Sequence, residues 1–302
     1  MKKLFFVYNP HAGKAKVKNA LPRILDEFDK AGFEVTLRPT HAKGDATKWI
    51  CKYADRYDRL AIGGGDGTMN EALHGLLQAS AQGRKPAPLG YLPAGTTNDF
   101  ASSLGIPSQL EGSAKIAATG EEFLCDAGAF NGDPFVYVSA FGAFTECSYA
   151  TSQQLKNLLG HLAYVLEGAK SLPQIKGIPM QIDSDAGTEN GEYLYGMVSN
   201  TTSVGGFTQF FASQKVELND GLLEVLLIKA PKTLAEKTEL ISALVRMDMK
   251  SKFFRVFKTQ KVILTSPKPV SWTTDGEFAG ENTTVTVEAI ANAYNLIVPK
   301  KA

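Results

Sequence analysis

One glycine-rich segment, Ala61–Glu71, contains the residue types that point most clearly to chemistry. An apolar run ends at Ile62, four of the next five residues are glycine, and a helical pattern follows through Leu77. Glycines at such a position give the backbone access to φ > 0 and leave room for a ligand beside main-chain N–H groups. The helix that follows adds the positive end of its dipole. The segment predicts a cradle for phosphate, in which Asp66 suits a Mg²⁺ ion that arrives with a nucleotide.

A purely structural interpretation of this segment stays open at this stage. Thr68-Met69-Asn70-Glu71 matches a capping box, in which Thr68 and Glu71 would only start a helix. A capping box does not account for three consecutive glycines followed by Asp66. The segment contains neither G-x-x-x-x-G-K-[ST] nor G-x-G-x-x-G, which disfavours a standard P-loop or a Rossmann site.

Two acidic turns in the second half of the chain are further candidates for chemistry. Glu217–Leu222 contains Asn-Asp-Gly, which is either a hairpin turn or a cation site that uses Asp220 and main-chain carbonyls. Trp272–Glu277 presents the same choice between a turn and a pair of carboxylates. A phosphotransferase needs a group that accepts the proton of the acceptor hydroxyl, and a carboxylate can do this.

Four short apolar runs in the first third of the chain have the composition of buried strands. Helical patterns lie between them, and this alternation predicts a parallel sheet flanked by helices. Ligands of such sheets bind beyond the carboxyl ends of the strands, so the loops after the strands are expected to converge on one site. The predicted strands are Leu4–Tyr8, Phe33–Leu37, Arg59–Ile62 and Leu89–Leu92, and the loops are Asn9–Lys14, Thr40, Gly63–Thr68 and Pro93–Thr96.

Helix signals place three helices between these strands. The first runs from about Val17 to Ala31, the second from Ala46 to Tyr57 with Asp45 as its cap, and the third from Thr68 to Ala79. A brief fourth helix follows Asp99 and ends at Gly105-Ile106-Pro107.

From about Ala127 the pattern changes to short strand-like runs joined by turns, which predicts an antiparallel β domain, a sandwich or a half-barrel. One helix, about Gln153–Leu172, interrupts it early, and its apolar stripe is either core or the wall of a lipid cleft. The stripe consists of Leu155, Leu158, Leu159, Leu162, Leu166 and Ala169, and the strands are expected at Phe135–Val138, Gln181–Asp183, Tyr193–Ser199, Leu222–Ile228, Val262–Thr265 and Thr283–Val287.

The segment Arg246–Lys261 has six basic residues against one acid and contains three phenylalanines. Such a surface can dock on anionic lipid headgroups. The alternative is a solvated helix end followed by a strand whose phenylalanines, Phe253, Phe254 and Phe257, belong to the core.

Composition narrows the function classes. Lys+Arg 32 against Asp+Glu 31 gives no support for a nucleic-acid partner. Three widely separated cysteines are typical of reduced thiols in a cytoplasmic protein. No apolar run approaches the length of a membrane span, so a cytoplasmic protein is expected that contacts the inner face of the membrane only peripherally.

In this order, the motifs resemble the diacylglycerol kinase catalytic-domain family, and within it the bacterial lipid kinases. The Gly-Gly-Asp-Gly-Thr motif by itself is shared with NAD kinases and phosphofructokinases. The Pro-x-Gly-Thr-x-Asn-Asp-Phe-Ala element and the late Asp-Gly-Glu make the resemblance specific to the lipid kinases. Ser213–Val216 replaces an Ala-Pro-x-Ala segment that many family members carry. The matching positions, which span essentially the whole chain, are Asn9-Pro10-x-x-Gly13-Lys14, Thr40 with Gly44-Asp45-Ala46, Gly64–Glu71, Pro93–Ala101, Asp220–Leu223 and Asp275–Glu277.

The resemblance implies a parallel α/β nucleotide-binding domain over residues 1–127, to which residues 290–302 return, and an antiparallel β-sandwich lipid domain over residues 128–289. The active cleft would lie between them, with Glu277 as the proton acceptor and Asp275 beside it in the charge network. A structural Mg²⁺ ion would be held by the Asp220 carboxylate and by the main-chain carbonyls of Glu217 and Leu222. The implied ATP-site residues are Asn9, Pro10, His11, Ala12, Gly13, Lys14, Thr40, Gly64, Gly65, Asp66, Gly67, Thr68, Met69, Asn70 and Thr96.

The first hypothesis is therefore a kinase that uses ATP and Mg²⁺ to phosphorylate the hydroxyl of a diacylglycerol-like lipid, with Asp66 helping to bind the ion. Its expected partners are this lipid and, transiently, a membrane surface; a homodimer is left open. Two alternatives remain: a kinase of a soluble substrate, similar to NAD kinase, and a lipid- or nucleotide-binding regulator without catalysis.

Overall fold

The computed structural model describes residues 1–95, 98–142, 177–201, 217–246 and 248–300 of the 302-residue chain. The chain divides into two compact units. The first consists of Met1–Ala127 together with Ala291–Ala302, and the second of Gly128–Ile290. Within the described residues, no helix has both the length and the apolar composition needed to cross a membrane.

The first unit is built on a parallel sheet in the order β2 (Phe33–Pro39), β1 (Lys2–Tyr8), β3 (Arg59–Gly64) and β4 (Leu89–Pro93). Leu296, near the end of β13 (Glu277–Val298), pairs with Leu89 of β4. The predicted α/β architecture is confirmed. The elements are β1 (Lys2–Tyr8), α1 (Ala12–Lys30), β2 (Phe33–Pro39), α2 (Asp45–Tyr53), β3 (Arg59–Gly64), α3 (Asp66–Ala81), β4 (Leu89–Pro93), α4 (Asp99–Ser103), α5 (Leu110–Thr119) and β5 (Glu121–Phe130).

Helices cover both faces of this sheet because successive residues of a strand point in opposite directions. Phe5 of β1 packs on Tyr53 of α2, with ring centroids 4.7 Å apart. Its neighbour Phe6 packs on Phe28 of α1 at 5.7 Å. Leu4 to Val7 are fully buried, as the continuous apolar run predicts for a central parallel strand.

The second unit is antiparallel, in the order β11-β10-β9-β7-β12-β13, and β8 pairs with both β9 and β12. The predicted antiparallel domain is confirmed. Trp272 lies at the centre of its core, 4.8 Å from Phe141 and 5.3 Å from Phe130 between ring centroids. The elements are β6 (Asp133–Phe135), β7 (Val138–Gly142), β8 (Ile178–Ser184), β9 (Gly187–Ser199), β10 (Leu223–Lys229), α6 (Leu234–Arg246), β11 (Phe254–Thr259), β12 (Lys261–Thr274) and β13 (Glu277–Val298).

The segment Arg246–Lys261 does not form the basic-aromatic surface considered from the sequence. Its three phenylalanines are buried, Phe254 and Phe257 within β11 and Phe253 directly before it. Its cations are largely paired: Lys252 Nζ lies 2.8 Å from Glu239, and Lys261 Nζ lies 3.4 Å from Glu288. The alternative interpretation, a helix end followed by a strand with core phenylalanines, is confirmed for the described residues.

Candidate active site

Main-chain hydrogen bonds join the loops at the carboxyl ends of four strands in the first unit. The Asn9 N–H donates to Gly63 O at 2.8 Å, the Thr40 N–H to Tyr8 O at 2.9 Å, and the Ala94 N–H to Gly64 O at 2.8 Å. The Asn9 side chain also accepts from the His11 N–H at 2.9 Å, which shapes the turn after β1. The predicted convergence of these loops at one sheet edge is confirmed.

The first turn of α1 is left-handed at three consecutive residues. Gly13, Lys14 and Ala15 have φ values of 56°, 60° and 64°, and ordinary helix geometry follows them. The left-handed conformation costs about 1–2 kcal/mol for each residue with a Cβ, so Lys14 and Ala15 are strained. Such strain is typical of ligand-binding turns whose shape is set before the ligand arrives.

Gly13 is the position in this turn that admits no side chain. A Cβ there would lie 2.0 Å from Ala94 O, in addition to the positive φ. Gly83 has a φ of 74° and would place a Cβ with nothing within 4 Å. Both glycines have a left-handed backbone, but only Gly13 has a close neighbour. Alanine at the two positions therefore separates the free-energy cost of the backbone conformation from the cost of the close contact.

Gly13→Ala is expected to lower the free energy of unfolding by about 3–4 kcal/mol, since overpacking adds to the conformational cost. Gly83→Ala should cost only about 1–2 kcal/mol. Denaturant unfolding of both variants measures the difference. Equal losses would show that the contact with Ala94 does not constrain the turn.

The predicted loop Gly63–Thr68 is shorter in the structure, because Gly63 and Gly64 end β3 and α3 begins at Asp66. The glycines of Gly63–Gly67 serve close packing rather than unusual backbone geometry. None of them has a positive φ, which corrects the reason inferred from the sequence. A Cβ on Gly64 would lie 2.4 Å from Thr68 Oγ1, and one on Gly63 would lie 3.0 Å from the ring of Phe6. Gly65 is the extended N-cap of α3, with φ −84° and ψ −175°. The loop is thus narrow, and its main chain is available to a ligand beside the start of a helix.

Asp66 is the first residue of α3, half-buried next to Tyr91. The Tyr91 hydroxyl lies 3.4 Å from Asp66 Oδ1 and 3.4 Å from Gly64 O. Burial, and then the charge of Asp66, raise the pKa of Tyr91 well above its ordinary value, so the hydroxyl remains a donor. No sequence signal pointed to Tyr91. Its hydroxyl lies against the Asp66 carboxylate in the first turn of α3.

Glu71 does not close a capping box, so that interpretation is wrong. Helix α3 begins at Asp66, and the Glu71 carboxylate instead accepts the N–H groups of Gly44 at 2.9 Å and Ala46 at 3.1 Å. It therefore caps the start of α2, across 25 positions of sequence. The Thr47 hydroxyl donates to Glu71 O at 2.8 Å and strengthens this link.

Asp45 also differs from its predicted role as the cap of α2. It is the first residue of that helix, and its carboxylate accepts from the N–H groups of His41 at 2.8 Å and Ala42 at 3.0 Å. These two hydrogen bonds are the main cause of a lowered pKa for Asp45. Asp45 and Glu71 together hold the loop that follows Thr40, whose side chain is buried.

Glu71→Ala is expected to loosen this loop and to lower the free energy of unfolding by about 1–3 kcal/mol, because two N–H groups lose a charged acceptor. Hydrogen exchange at Gly44 and Ala46 should accelerate. Glu71→Gln, which retains one carbonyl oxygen, should have a smaller effect on both measurements. Unchanged exchange at Gly44 and Ala46 in Glu71→Ala would contradict the positioning role.

The remaining residues of the predicted ATP site differ in how their side chains are placed. Met69 is fully buried and Thr68 is packed against Gly64, and the main-chain N–H groups of both residues donate to Gly65 O. Asn70 is half-buried on α3, and His11 and Lys14 are exposed. Thr96, the helix predicted over 153–172 and the segment 213–216 lie outside the described residues.

In the second unit, Asp275 is a structural residue of the turn between β12 and β13. Its buried carboxylate accepts from the N–H groups of Val136 at 2.7 Å, Tyr137 at 3.0 Å and Val138 at 3.2 Å. These bonds separate β6 from β7, which is why the single strand predicted over Phe135–Val138 is divided. These bonds position the turn that precedes Glu277, and the catalytic role of Asp275 stays a prediction. Glu277, two residues later, is exposed.

Both carboxylate oxygens of Asp220, which is predicted to bind a structural Mg²⁺ ion, have partners in the described part of the chain. One Asp220 carboxylate oxygen accepts from the Leu222 N–H at 3.0 Å, and the other lies 2.6 Å from Lys258 Nζ. Among the described residues, no group of three or more His, Cys, Asp or Glu side chains could hold a metal ion. The Glu217–Leu222 segment is a turn with an ion pair.

Comparisons with known proteins agree with this architecture. Residues 3–129 match the family described as the diacylglycerol kinase catalytic domain, and residues 143–298 match the YegS C-terminal NAD kinase β-sandwich-like domain. The chain is 33% identical to a diacylglycerol kinase of Bacillus subtilis over 93% of its length and 91% of that protein. It is 31% identical to one of Staphylococcus carnosus, over 93% and 90% of the two chains.

A solved structure supports the fold. The crystal structure of a diacylglycerol kinase from Bacillus anthracis str. Sterne is similar to this chain with a TM-score of 0.75. The two are 22% identical, and the similarity covers 98% of this chain and 97% of the other.

Proposed function

Because this chain belongs to the diacylglycerol kinase catalytic-domain family, we propose that it transfers the γ-phosphoryl group of ATP to the hydroxyl of a diacylglycerol-like lipid. One observation carries the nucleotide part of the proposal: the strained Gly13–Ala15 turn, the Thr40 loop and the start of α3 meet at one sheet edge. A sheet edge of this kind binds phosphate through main-chain N–H groups.

The role of the first unit is to position the phosphates. Asn9 to Lys14 would surround them from one side, and the Gly64–Asn70 segment, with Asp66 near the ion, from the other. A Mg²⁺ ion bound with the nucleotide would neutralise phosphate charge. Phosphoryl transfer depends mainly on such positioning and electrostatics.

The role of the second unit is to supply the proton acceptor. Glu277 is exposed at the start of β13, where a lipid hydroxyl can reach it. The carboxylate of its neighbour Asp275 is committed to three main-chain N–H groups and holds the turn that carries Glu277. Since the acceptor is a lipid, the chain would contact a membrane surface transiently.

The test is transfer of labelled γ-phosphate from ATP to a panel of hydroxyl lipids in mixed micelles, with Mg²⁺ and with NAD as a soluble acceptor. The panel holds diacylglycerol, an isoprenoid alcohol, a sphingoid base and phosphatidylglycerol. Label in diacylglycerol is the expected result. Label in NAD would favour the soluble-substrate kinase instead. ATP binding without any labelled product would favour the regulator.

A matched pair of variants ties the activity to this site. Asp66→Asn should abolish most of the transfer, because the side chain near the ion loses its charge. Asp55→Asn alters a carboxylate of the same unit that pairs with Arg84 at 3.3 Å and has no part in the proposed site. It should leave the rate unchanged.

A further inference from the structure

Glu224 is a fully buried carboxylate in the second unit. It lies on β10, directly opposite Lys258 in the register of the β10–β11 pair. Neither of its carboxylate oxygens has a hydrogen-bond partner among the described residues. A buried charge of this kind is costly unless a cation or hydrogen bonds compensate it.

Lys258 places an ammonium group between this carboxylate and that of Asp220. Its Nζ lies 2.6 Å from Asp220 Oδ2 and 3.4 Å from Glu224 Oε1. Both carboxylate oxygens lie within ion-pair distance of the ammonium. Lys258 and Asp220 are about one-fifth exposed, at 22% and 19% of their side-chain areas.

We propose that the Lys258 ammonium is the resident cation of this acidic pair, and that the second unit therefore needs no divalent metal ion at Asp220. The inference runs against the metal role expected for Glu217, Asp220 and Leu222. A Mg²⁺ ion directly bound to Asp220 would compete with the ammonium for the carboxylate and be repelled by it. Mg²⁺ also requires near-ideal octahedral oxygen coordination.

The proposal does not depend on kinase activity, so its test uses the nucleotide-free full chain. Thermal unfolding is followed after chelation with EDTA and again with added Mg²⁺ or Ca²⁺. The wild-type melting temperature should move by less than about 1 °C, which is well under the shift that corresponds to 1 kcal/mol for a chain of this size. A rise of several degrees with either ion, absent in Asp220→Asn, would overturn the proposal.

Two lysine variants test the role of the ammonium itself. Lys258→Met retains the aliphatic chain but removes the charge, and should lower the melting temperature by roughly 5–10 °C, because a buried carboxylate loses its partner. Lys261→Met removes a cation whose side chain is 51% exposed and pairs with Glu288. It should change the melting temperature by only about 1–2 °C. Equal shifts in the two variants would contradict the proposal.

If Lys258→Met does not fold, a direct measurement of metal binding to the wild-type chain still tests the proposal. Equilibrium dialysis of the wild-type chain against Mn²⁺, without nucleotide, is compared with that of Asp220→Asn. The same amount of bound Mn²⁺ in both proteins supports the proposal. One equivalent of Mn²⁺ that is lost in Asp220→Asn would show that a metal ion, and not Lys258, occupies this position.

Discussion

Glu277→Gln is expected to lower kcat by about 10²–10⁴-fold, which is the usual effect of removing a general base. Glutamine has nearly the same shape but cannot accept the hydroxyl proton of the lipid. Since Glu277 is exposed, the substitution should leave the free energy of unfolding within about 0.5 kcal/mol of the wild-type value. The measurement is the rate of phosphate transfer at saturating ATP and lipid, together with denaturant unfolding.

Glu281→Gln is the matched control for this prediction. Glu281 is a second exposed glutamate on β13, four positions further along, and lies 3.2 Å from the Ser271 hydroxyl through Oε1. It should retain wild-type turnover. The assignment of Glu277 would be wrong if Glu277→Gln kept more than half of the wild-type rate, or if Glu281→Gln lost as much as Glu277→Gln.

Asp275→Ala is expected to destabilise the second unit by about 4–6 kcal/mol, because three main-chain N–H groups lose a charged acceptor. All three belong to buried residues, Val136, Tyr137 and Val138, so water does not readily replace the carboxylate. The loss of stability should exceed that of the exposed substitutions Glu277→Gln and Glu281→Gln. Denaturant unfolding followed by tryptophan fluorescence would report it through Trp272 in the same core.

Asp275→Asn separates positioning from catalysis. Residue 275 has a φ of 49°, a conformation that asparagine tolerates well, so the variant isolates the loss of charge and of one acceptor oxygen. If Asp275 is a positioning residue, Asp275→Asn should lose an intermediate amount of stability, and its kcat should fall much less than that of Glu277→Gln. Wild-type stability combined with a severe loss of kcat would instead make Asp275 part of the reaction.

Sequence patterns were sufficient for the elements whose burial follows a clear period. The run Leu4–Tyr8 is a central strand because almost every residue in it is apolar, and the alternation of strands with helices predicted the parallel sheet. Helix α5 was missed because its buried face consists largely of small residues, including Ser113, Ala114 and Ala117. Such residues pack closely on a strand but produce no apolar period that stands out in the sequence.

The sequence predicts a candidate phosphate site from its glycines, but the structure gives a different physical reason for these glycines. The sequence cannot distinguish a glycine that is required because its φ is positive from one that is required because a close neighbour leaves no room for a Cβ. Gly64 is required by the Thr68 side chain, whereas the left-handed geometry lies at Gly13 and continues through Lys14 and Ala15. Residues with a Cβ carry no sequence signal for that conformation.

The sequence alone determined which carboxylates are present and their order along the chain, and with them the family and the architecture. Tertiary structure decided what each carboxylate does, because its hydrogen-bond partners come from distant segments. Glu71 caps a helix 25 positions away, Asp220 meets a lysine 38 positions away, and Asp275 binds N–H groups up to 139 positions away. The hydrogen-bond donors of these carboxylates come within reach only when the chain folds. A carboxylate whose oxygen atoms all have such donors serves to hold the structure in place.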